Sequence, residues 1–257
     1  MQLAILGDGG LGRQVEAAAS AEGHGVRLFG RPPDGRHLPG LLRGADIVVE
    51  ASRPEAVLSN VTVAADGGCR RVVIATTGWA AERPSVEALL RERGVAAVAA
   101  SNFSLGMALF GRLVDAAVDL YGAVPAFDPF LLEWHRRAKA DRPSGTAADL
   151  ARRITARHPA KRRIAADTAR SRRPAPDELE VVSLRAGASP GMHLVGFDSA
   201  GETVELRLTA RDRSAYAAGI LAASHWLLRE PRAAGIHAFD SVVDALLMAA
   251  PVAPAAA

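Results

Sequence analysis

The chain has 257 residues, 49% of them apolar and 23% charged. That is the balance of an ordinary globular protein, not of a disordered, collagen-like or coiled-coil chain. Its 31 basic and 28 acidic residues leave a formal charge of +3, within what solubility requires, and the charge gathers into no stripe of the kind nucleic-acid binders carry. A single cysteine, Cys69, excludes an intrachain disulfide framework and a cysteine-rich zinc site. No apolar run approaches the ~20 residues of a membrane span, and the first residues turn glycine-rich too early for a signal peptide. The sequence therefore reads as cytoplasmic, with no nucleic-acid or membrane partner. Its densest basic stretch, Lys161-Arg162-Arg163 followed by Arg170, Arg172 and Arg173, lies near Pro174, Pro176 and Asp177 and reads as a solvated loop.

The first hundred residues alternate short apolar runs with helical patterns. Leu3-Ala4-Ile5-Leu6 reads as a buried strand, Arg13 to Ala21 as a helix and Val26 to Phe29 as a second strand. Asp46 to Glu50 is a third strand, followed by a helix opening near Pro54. Arg71 to Ala75 is a fourth strand, Val86 to Arg93 a helix and Val95 to Ala99 a fifth strand. Apolar strands alternating with helices imply a doubly wound parallel sheet of Rossmann type. After Ser101 the pattern changes. Gly106 to Tyr121 and Thr146 to His158 are helical, whereas Phe127–His135, Glu178–Arg185, His193–Phe197 and Thr203–Leu208 read as strands with few helices between them. This half is expected to be α+β, with an open mixed sheet. A helix from Ala215 to Leu228 and a short one from Ser241 to Met248 precede an alanine–proline tail.

Two stretches carry chemistry. Gly7-Asp8-Gly9-Gly10-Leu11-Gly12 follows the first strand and opens the first helix, the setting in which G-x-G-x-x-G marks a dinucleotide site. Gly7 would make the turn, Gly9 would admit a pyrophosphate and Gly12 would let helix and strand approach. The helix N-terminus would offer free N–H groups and a partial positive charge to the phosphates. At the end of the second strand the sequence runs Phe29-Gly30-Arg31. An arginine there, with Arg13 assisting, can grip a 2′-phosphate that a carboxylate would repel. NADPH is therefore expected over NADH, with NADH still usable. The competing reading makes Arg31 a surface residue and gives the acidic role to Asp34.

The second stretch runs from Glu133 to Ala147. His135 ends a strand and Lys139 lies four residues on; such a pair can transfer a proton or hold a carboxylate. Ser144 is a candidate helix cap, and the amides of Gly145 and Thr146 would face an anion. Lys139 is one of only two lysines among the 31 basic residues, and lysine, unlike arginine, can give up a proton. The remaining histidines have no metal-ligand spacing, no metal site is expected, and Cys69 and Trp134 read as packing residues. Asp141 either orients Lys139 or caps the loop.

The pattern E-x-H-x-x-x-K-x-D-x-P-S-G-T-A over these residues closely resembles the signature of the dihydrodipicolinate reductase family. Ala75-Thr76-Thr77-Gly78 resembles that family's nicotinamide-side loop, and Ser101-Asn102-Phe103-Ser104-Leu105-Gly106 its interdomain hinge. Arg185-Ala186-Gly187 with Pro190-Gly191-Met192-His193 resembles its R-x-G…G-x-H element, and Arg213 to Gly219 its closing segment. The resemblance implies an NAD(P)H-dependent reductase of lysine and diaminopimelate biosynthesis that reduces a cyclic unsaturated dicarboxylate. It implies a nucleotide domain over 1–103 and 214–257 and a substrate and oligomerisation domain over 104–213. It also implies a homo-oligomer, a tetramer or dimer. On this chain His135 would be the catalytic histidine and Lys139 the proton donor. Ser144, Gly145 and Thr146 would seat a substrate carboxylate, while Ala75 to Gly78 and Ser101 to Phe103 would contact the cofactor. The sequence departs from the family in three places. Arg136 replaces the second histidine of a pair, where it could bind a carboxylate but not shuttle a proton. The glycine loop is one residue shorter and lacks an arginine. Leu208 stands where a histidine is common. The acid after the third strand, Glu50, is followed by Ser52-Arg53-Pro54-Glu55 in a recognisable form. These departures leave open a relative acting on another unsaturated or imine-bearing carboxylate. A non-catalytic nucleotide-binding regulator is the alternative of another class, and retention of His135 and Lys139 argues against it.

Overall fold

A computed structural model describes residues 1–32, 37–166 and 173–249. The chain divides into two compact units, one of Met1–Leu105 with Arg213–Ala257 and one of Gly106–Asp212.

The first unit is built on a six-stranded, wholly parallel sheet. Its strands are β1 (Gln2–Leu6), β2 (Gly25–Phe29), β3 (Ile47–Glu50), β4 (Arg71–Ile74), β5 (Ala96–Ala99) and β11 (Gly235–Ala238), in the spatial order β11-β5-β4-β3-β1-β2. The strands are apolar because helices cover both faces. Helices α2 (Val57–Asp66) and α3 (Arg83–Glu92) close a core of Leu6, Val48, Val61, Ile74 and Leu90 on one face. Helices α1 (Gly10–Ala21) and α6 (Ser214–Arg229) pack together on the other. With β2 on one side of β1 and β3 on the other, the connections reverse direction at β1, the switch point where such sheets bind ligands beyond their strand ends. Glycine makes one packing contact in this unit possible: a Cβ at Gly219 in α6 would stand 1.7 Å from the carbonyl oxygen of Phe103. Phe103 is itself buried, its ring 5.0 Å from that of Phe239 at the start of α7 (Phe239–Ala249).

The second unit carries a five-stranded mixed sheet of order β10-β9-β6-β8-β7, comprising β6 (Asp128–His135), β7 (Arg163–Ala165), β8 (Glu178–Arg185), β9 (Met192–Asp198) and β10 (Thr203–Thr209). β6 runs parallel to β8 and antiparallel to β9. Helices α4 (Leu105–Gly122) and α5 (Gly145–Arg157) cover one face, with Phe110, Val114, Leu150 and Ile154 packed on Leu131, Val181, Val195 and Phe197. The alternation of a strand sends Pro129, Leu131, Glu133 and His135 to that covered face, and Phe130, Leu132 and Trp134 to the other. Among the described residues, no helix is long and apolar enough to cross a membrane.

The structure departs from the sequence reading in three places. Helix α1 begins inside the glycine run, at Gly10, because the backbone of Gly9 starts the helical ladder by accepting from Arg13. The short strands β7 and β11 carry too weak a pattern to be read locally; each forms at a sheet edge by pairing with β8 or β5. The basic stretch is the expected solvated loop only in part: Arg162 and Arg173 are exposed outside the strands, but Arg163 begins β7. Lys161 is buried, and its ammonium donates to the carbonyls of Pro176 and Glu178 and pairs with Asp128, the condition on which a charge tolerates burial. Arg163 pairs with Asp177 at 2.8 Å. Arg170 and Arg172 lie outside the described residues, as does Asp34. Replacing Gly219 with Ala is expected to force α6 and the Phe103 backbone apart and to lower stability by about 1–3 kcal/mol, read as a fall in the denaturant midpoint with the slope unchanged.

Candidate active site

In the first unit the glycine turn is close-packed where the sequence places glycines. Gly7 has φ +124°, and a Cβ there would stand 2.3 Å from the oxygen of Ala51, just past β3. A Cβ on Gly12 would stand 1.8 Å from the oxygen of Gly7. Gly9, by contrast, meets nothing within 4 Å, so its backbone faces open space at the N-terminus of α1. That terminus has no side-chain cap and retains free N–H donors. Asp8, Gly9 and Gly10 are exposed and Leu11 is half-buried. The turn therefore fits a pyrophosphate. One cation beside it was not singled out in the sequence: a Cβ on Gly10 would stand 2.7 Å from the guanidinium of Arg213, which precedes α6.

Past β2, Arg31 is exposed. The carboxylate of Asp8 lies over Gly30, 2.9 Å from where a Cβ would sit, and stands 3.7 Å from Arg13. At the end of β3, Glu50 is wholly buried; its Oε1 accepts from the amide and hydroxyl of Ser52 and from Asn60. Burial pushes its carboxyl above the usual range despite these bonds. Its carbonyl accepts from the amides of Ala75 and Thr76, so this residue ties together the turns after β3 and β4. Ala75 and Thr76 are buried, whereas Thr77 and Gly78 are exposed. Thr76, Thr77 and Gly78 line a hollow of ≈ 180 Å³ together with Ala99, Ala100 and Ser101. Two of the loops singled out for the cofactor thus meet at one place. Asn102 accepts from the Ser104 amide and shapes its own turn. The Phe103 ring belongs to the core and can offer a ligand only backbone.

In the second unit, register assembles the site. Glu133 lies opposite Ser183 on β8 and His193 on β9, and His193 lies opposite Leu208 on β10. The Glu133 carboxylate is fully buried. Its Oε1 accepts from Ser183 Oγ at 2.6 Å, from an Arg185 guanidinium nitrogen at 2.8 Å and from the Ser144 amide at 2.8 Å. Burial alone would push this carboxyl up; the bonds from Ser144, Ser183 and Arg185 outweigh it and bring it down to about 2. Its Oε2 stands 3.1 Å from His135 Nδ1. Arg185 also donates to the carbonyl of Asp141. One ionised carboxylate therefore holds the end of β6, the loop to α5 and strand β8.

Burial pushes His135 below the usual histidine range, against the pull of Glu133. His193 packs edge-on to it at 5.3 Å and is pushed down to about 4, first by burial and then because two neighbouring rings resist being protonated together. Gly191 gives the His135 ring its space: its φ is +154°, and a Cβ there would lie 3.0 Å from His135 Nε2. Lys139 Nζ pairs with Asp141 at 2.8 Å, which settles Asp141 as the partner of the lysine, and this ammonium holds the Asp141 carboxyl below its ordinary value. Ser144 caps α5, its Oγ accepting from the Ala147 amide at 3.2 Å. Gly145 is exposed with nothing near it, and Thr146 is half-buried. Arg136 is exposed on the loop after β6. From spacing alone Glu133 and Arg185 are only members of the family patterns, and Ser183 is in none. Glu133 carried one legible signal, two residues before His135 on the same face of a strand.

A parallel sheet with a glycine turn at its switch point is a dinucleotide-binding fold of Rossmann type. The sequence model described as dihydrodipicolinate reductase, N-terminus, matches residues 11–103, and that described as dihydrodipicolinate reductase, C-terminus, matches residues 106–243. The chain belongs to the dihydrodipicolinate reductase family. It is 32% identical over 248 residues to a 4-hydroxy-tetrahydrodipicolinate reductase of an Exiguobacterium species, covering 95% of this chain and 96% of that one. It is 34% identical over 194 residues to the enzyme of that name from Wolinella succinogenes, covering 74% and 73%. A dipicolinate-bound dihydrodipicolinate reductase from a Paenisporosarcina species shares the fold, with a TM-score of 0.71 at 17% identity over 93% of this chain and 97% of that one.

Two outcomes follow from this geometry. Replacing Glu133 with Ala strands the buried guanidinium of Arg185 and is expected to cost about 3–5 kcal/mol of stability, measured by denaturant titration. Replacing Gly191 with Ala should displace the His135 ring and shift the midpoint of its NMR titration while leaving the far-ultraviolet circular dichroism unchanged.

Proposed function

We propose that the protein is an NADPH-dependent reductase of 4-hydroxy-tetrahydrodipicolinate, or of the unsaturated ring that forms when it loses water. The observation that carries this reading is the Glu133-centred cluster. It places a neutral imidazole, a lysine ammonium and a capped helix N-terminus on one short stretch, in a chain of this family. A reduced nicotinamide supplies a hydride when bound. The turn from Gly7 to Gly12 would hold its pyrophosphate, with Arg213 as an added cation, and the loops of Ala75–Gly78 and Ser101–Phe103 would flank its nicotinamide end. Arg31 and Arg13 support a 2′-phosphate, although the carboxylate of Asp8 over Gly30 opposes it.

The amides of Gly145 and Thr146 and the guanidinium of Arg136 would hold the substrate's carboxylates. Hydride arriving at one carbon leaves negative charge on its neighbour, which must take up a proton. Lys139 is the donor, its ammonium held at 2.8 Å by Asp141, whereas burial disfavours the protonated form of His135. His135 Nδ1 stands against Glu133 Oε2; with its hydrogen on that side, the neutral ring would present Nε2 as an acceptor that positions a donor group of the substrate. Arg136 and Leu208, which differ from the family's usual histidines, favour a second reading in which another imine-bearing carboxylate is the substrate. NADPH oxidation measured with both compounds decides between them.

An exposed apolar strip on the outer face of the second sheet supports self-association. Leu184 is 47% exposed there, and Phe130, Leu132, Trp134, Val182 and Leu194 are half-buried. We read it as the face of a homodimer or homotetramer.

Lys139→Ala is expected to lower kcat by about 10²–10⁴-fold, the usual contribution of a positioned proton donor, while NADPH affinity stays unchanged. Undiminished turnover would remove the lysine from the mechanism. Arg31→Ala should cut the preference for NADPH over NADH by about 10–100-fold, the worth of a charge-assisted bond; equal use of both cofactors by the unaltered protein would reject the 2′-phosphate argument.

A further inference from the structure

Three potential metal ligands meet on the first unit, apart from every residue assigned above. Helix α1 ends at Ala21, and the turn that follows is fixed by backbone bonds from Glu22 to Ala18, Gly23 to Ser20 and His24 to Ala19. Gly23 adopts φ +78°, which only glycine takes readily, so Glu22 and His24 are held on either side of it. From α6, His225 reaches the same point although it lies 201 residues away from His24. His24 Nε2 stands 3.2 Å from His225 Nε2 and 3.4 Å from Glu22 Oε2. The ligand atoms of all three side chains lie within 4.8 Å of one another.

As a hydrogen-bonded cluster this arrangement is incomplete. His24 Nε2 has at most one hydrogen to share between two acceptors, an imidazole nitrogen and a carboxylate oxygen. A cation at the centre would meet all three lone pairs at once, with the His24 hydrogen moved to Nδ1, the nitrogen 3.5 Å from the amine of Met1. The spacing suits one as well. Bonds of about 2.0–2.1 Å in a tetrahedron put neighbouring ligand atoms about 3.3 Å apart, and the two close separations here bracket that value. Two imidazoles and one carboxylate form a ligand set that zinc takes, with a water in the fourth position. Glu22 and His225 also line a hollow of ≈ 260 Å³, through which an ion could reach them.

We propose that Glu22, His24 and His225 form a binding site for a single divalent transition-metal ion of the zinc type, which clips the end of α1 to α6. The site is independent of the reductase reading, and its test uses no turnover. The full chain is dialysed against ZnCl₂ at fixed pH, and the retained metal is counted for the unaltered protein and for His225→Ala, Glu22→Gln and His193→Ala. About one zinc per chain is expected. Affinity should fall by at least about tenfold in His225→Ala and Glu22→Gln, the floor set by what loss of even an outer-shell partner costs. His193→Ala, which alters the Glu133 cluster instead, should bind as the unaltered protein does. Zinc should also raise Tm in the unaltered protein and not in His225→Ala, because an ion that binds only the folded state stabilises it. Cobalt in place of zinc should give the strong visible absorption of tetrahedral coordination. Retention of no zinc, equal retention by His225→Ala, or loss of zinc in His193→Ala alone would each overturn the proposal.

Discussion

A carboxylate with no solvent contact is costly unless it is hydrogen-bonded, and Glu133 accepts that cost through one oxygen, its Oε2 accepting no hydrogen bond. Its Oε1 receives a hydroxyl and a guanidinium from strand β8 and a backbone amide from the start of α5. The guanidinium of Arg185 then reaches on to the carbonyl of Asp141. The loop that carries Lys139 and the N-terminus of α5 is thereby tied to the same group that stands against the ring of His135. Loss of the charge on Glu133 would loosen the Lys139 loop, the His135 ring and the N-terminus of α5 together, so these three behave as one unit. Sheet register makes the arrangement possible: Ser183, Glu133 and His193 stand side by side across three strands.

The first unit reaches its function by packing instead of by charge. Its turn after β1 is shaped by what cannot be present, since a Cβ on Gly7 or Gly12 would collide with backbone. The open backbone of Gly9 and the uncapped start of α1 are the complement of that close packing. Glu50, buried at the end of β3, performs a smaller version of the Glu133 role by joining the turns after β3 and β4. Each unit thus has a buried glutamate near the end of a strand, Glu50 or Glu133, that ties neighbouring segments together.

How much of this was legible in the sequence follows from the range of each interaction. The strands of the first unit stand out because a sheet covered on both faces needs unbroken apolar runs, as in Ile47-Val48-Val49. The glycine turn and the stretch from His135 to Thr146 are local, so their spacing could be read directly. Strand β11 could not be: Gly235-Ile236-His237-Ala238 has neither length nor clear alternation, and it is a strand because β5 offers it an edge. The partners of Glu133 lie 50 and 52 residues away on β8, and only the pairing of β6 with β8 brings them in. The burial of Lys161 was misread for the same reason, since its acceptors are the carbonyls of Pro176 and Glu178. The pairing of His24 with His225 is the extreme case, invisible to any argument from spacing along the chain.

Glu133 stays ionised well below the ordinary glutamate range, and its charge holds the contacts from Ser144, Ser183 and Arg185 together. Carboxyl-carbon NMR of the protein labelled at glutamate, with Glu133→Gln used to assign the resonance, measures it directly. The Glu133 signal should stay at its ionised position as the pH is lowered and begin to move only as about 2 is approached. A signal that titrates near 4.5, the ordinary value for a glutamate, would show that Ser144, Ser183 and Arg185 do not hold the charge, and the site as described here would not stand.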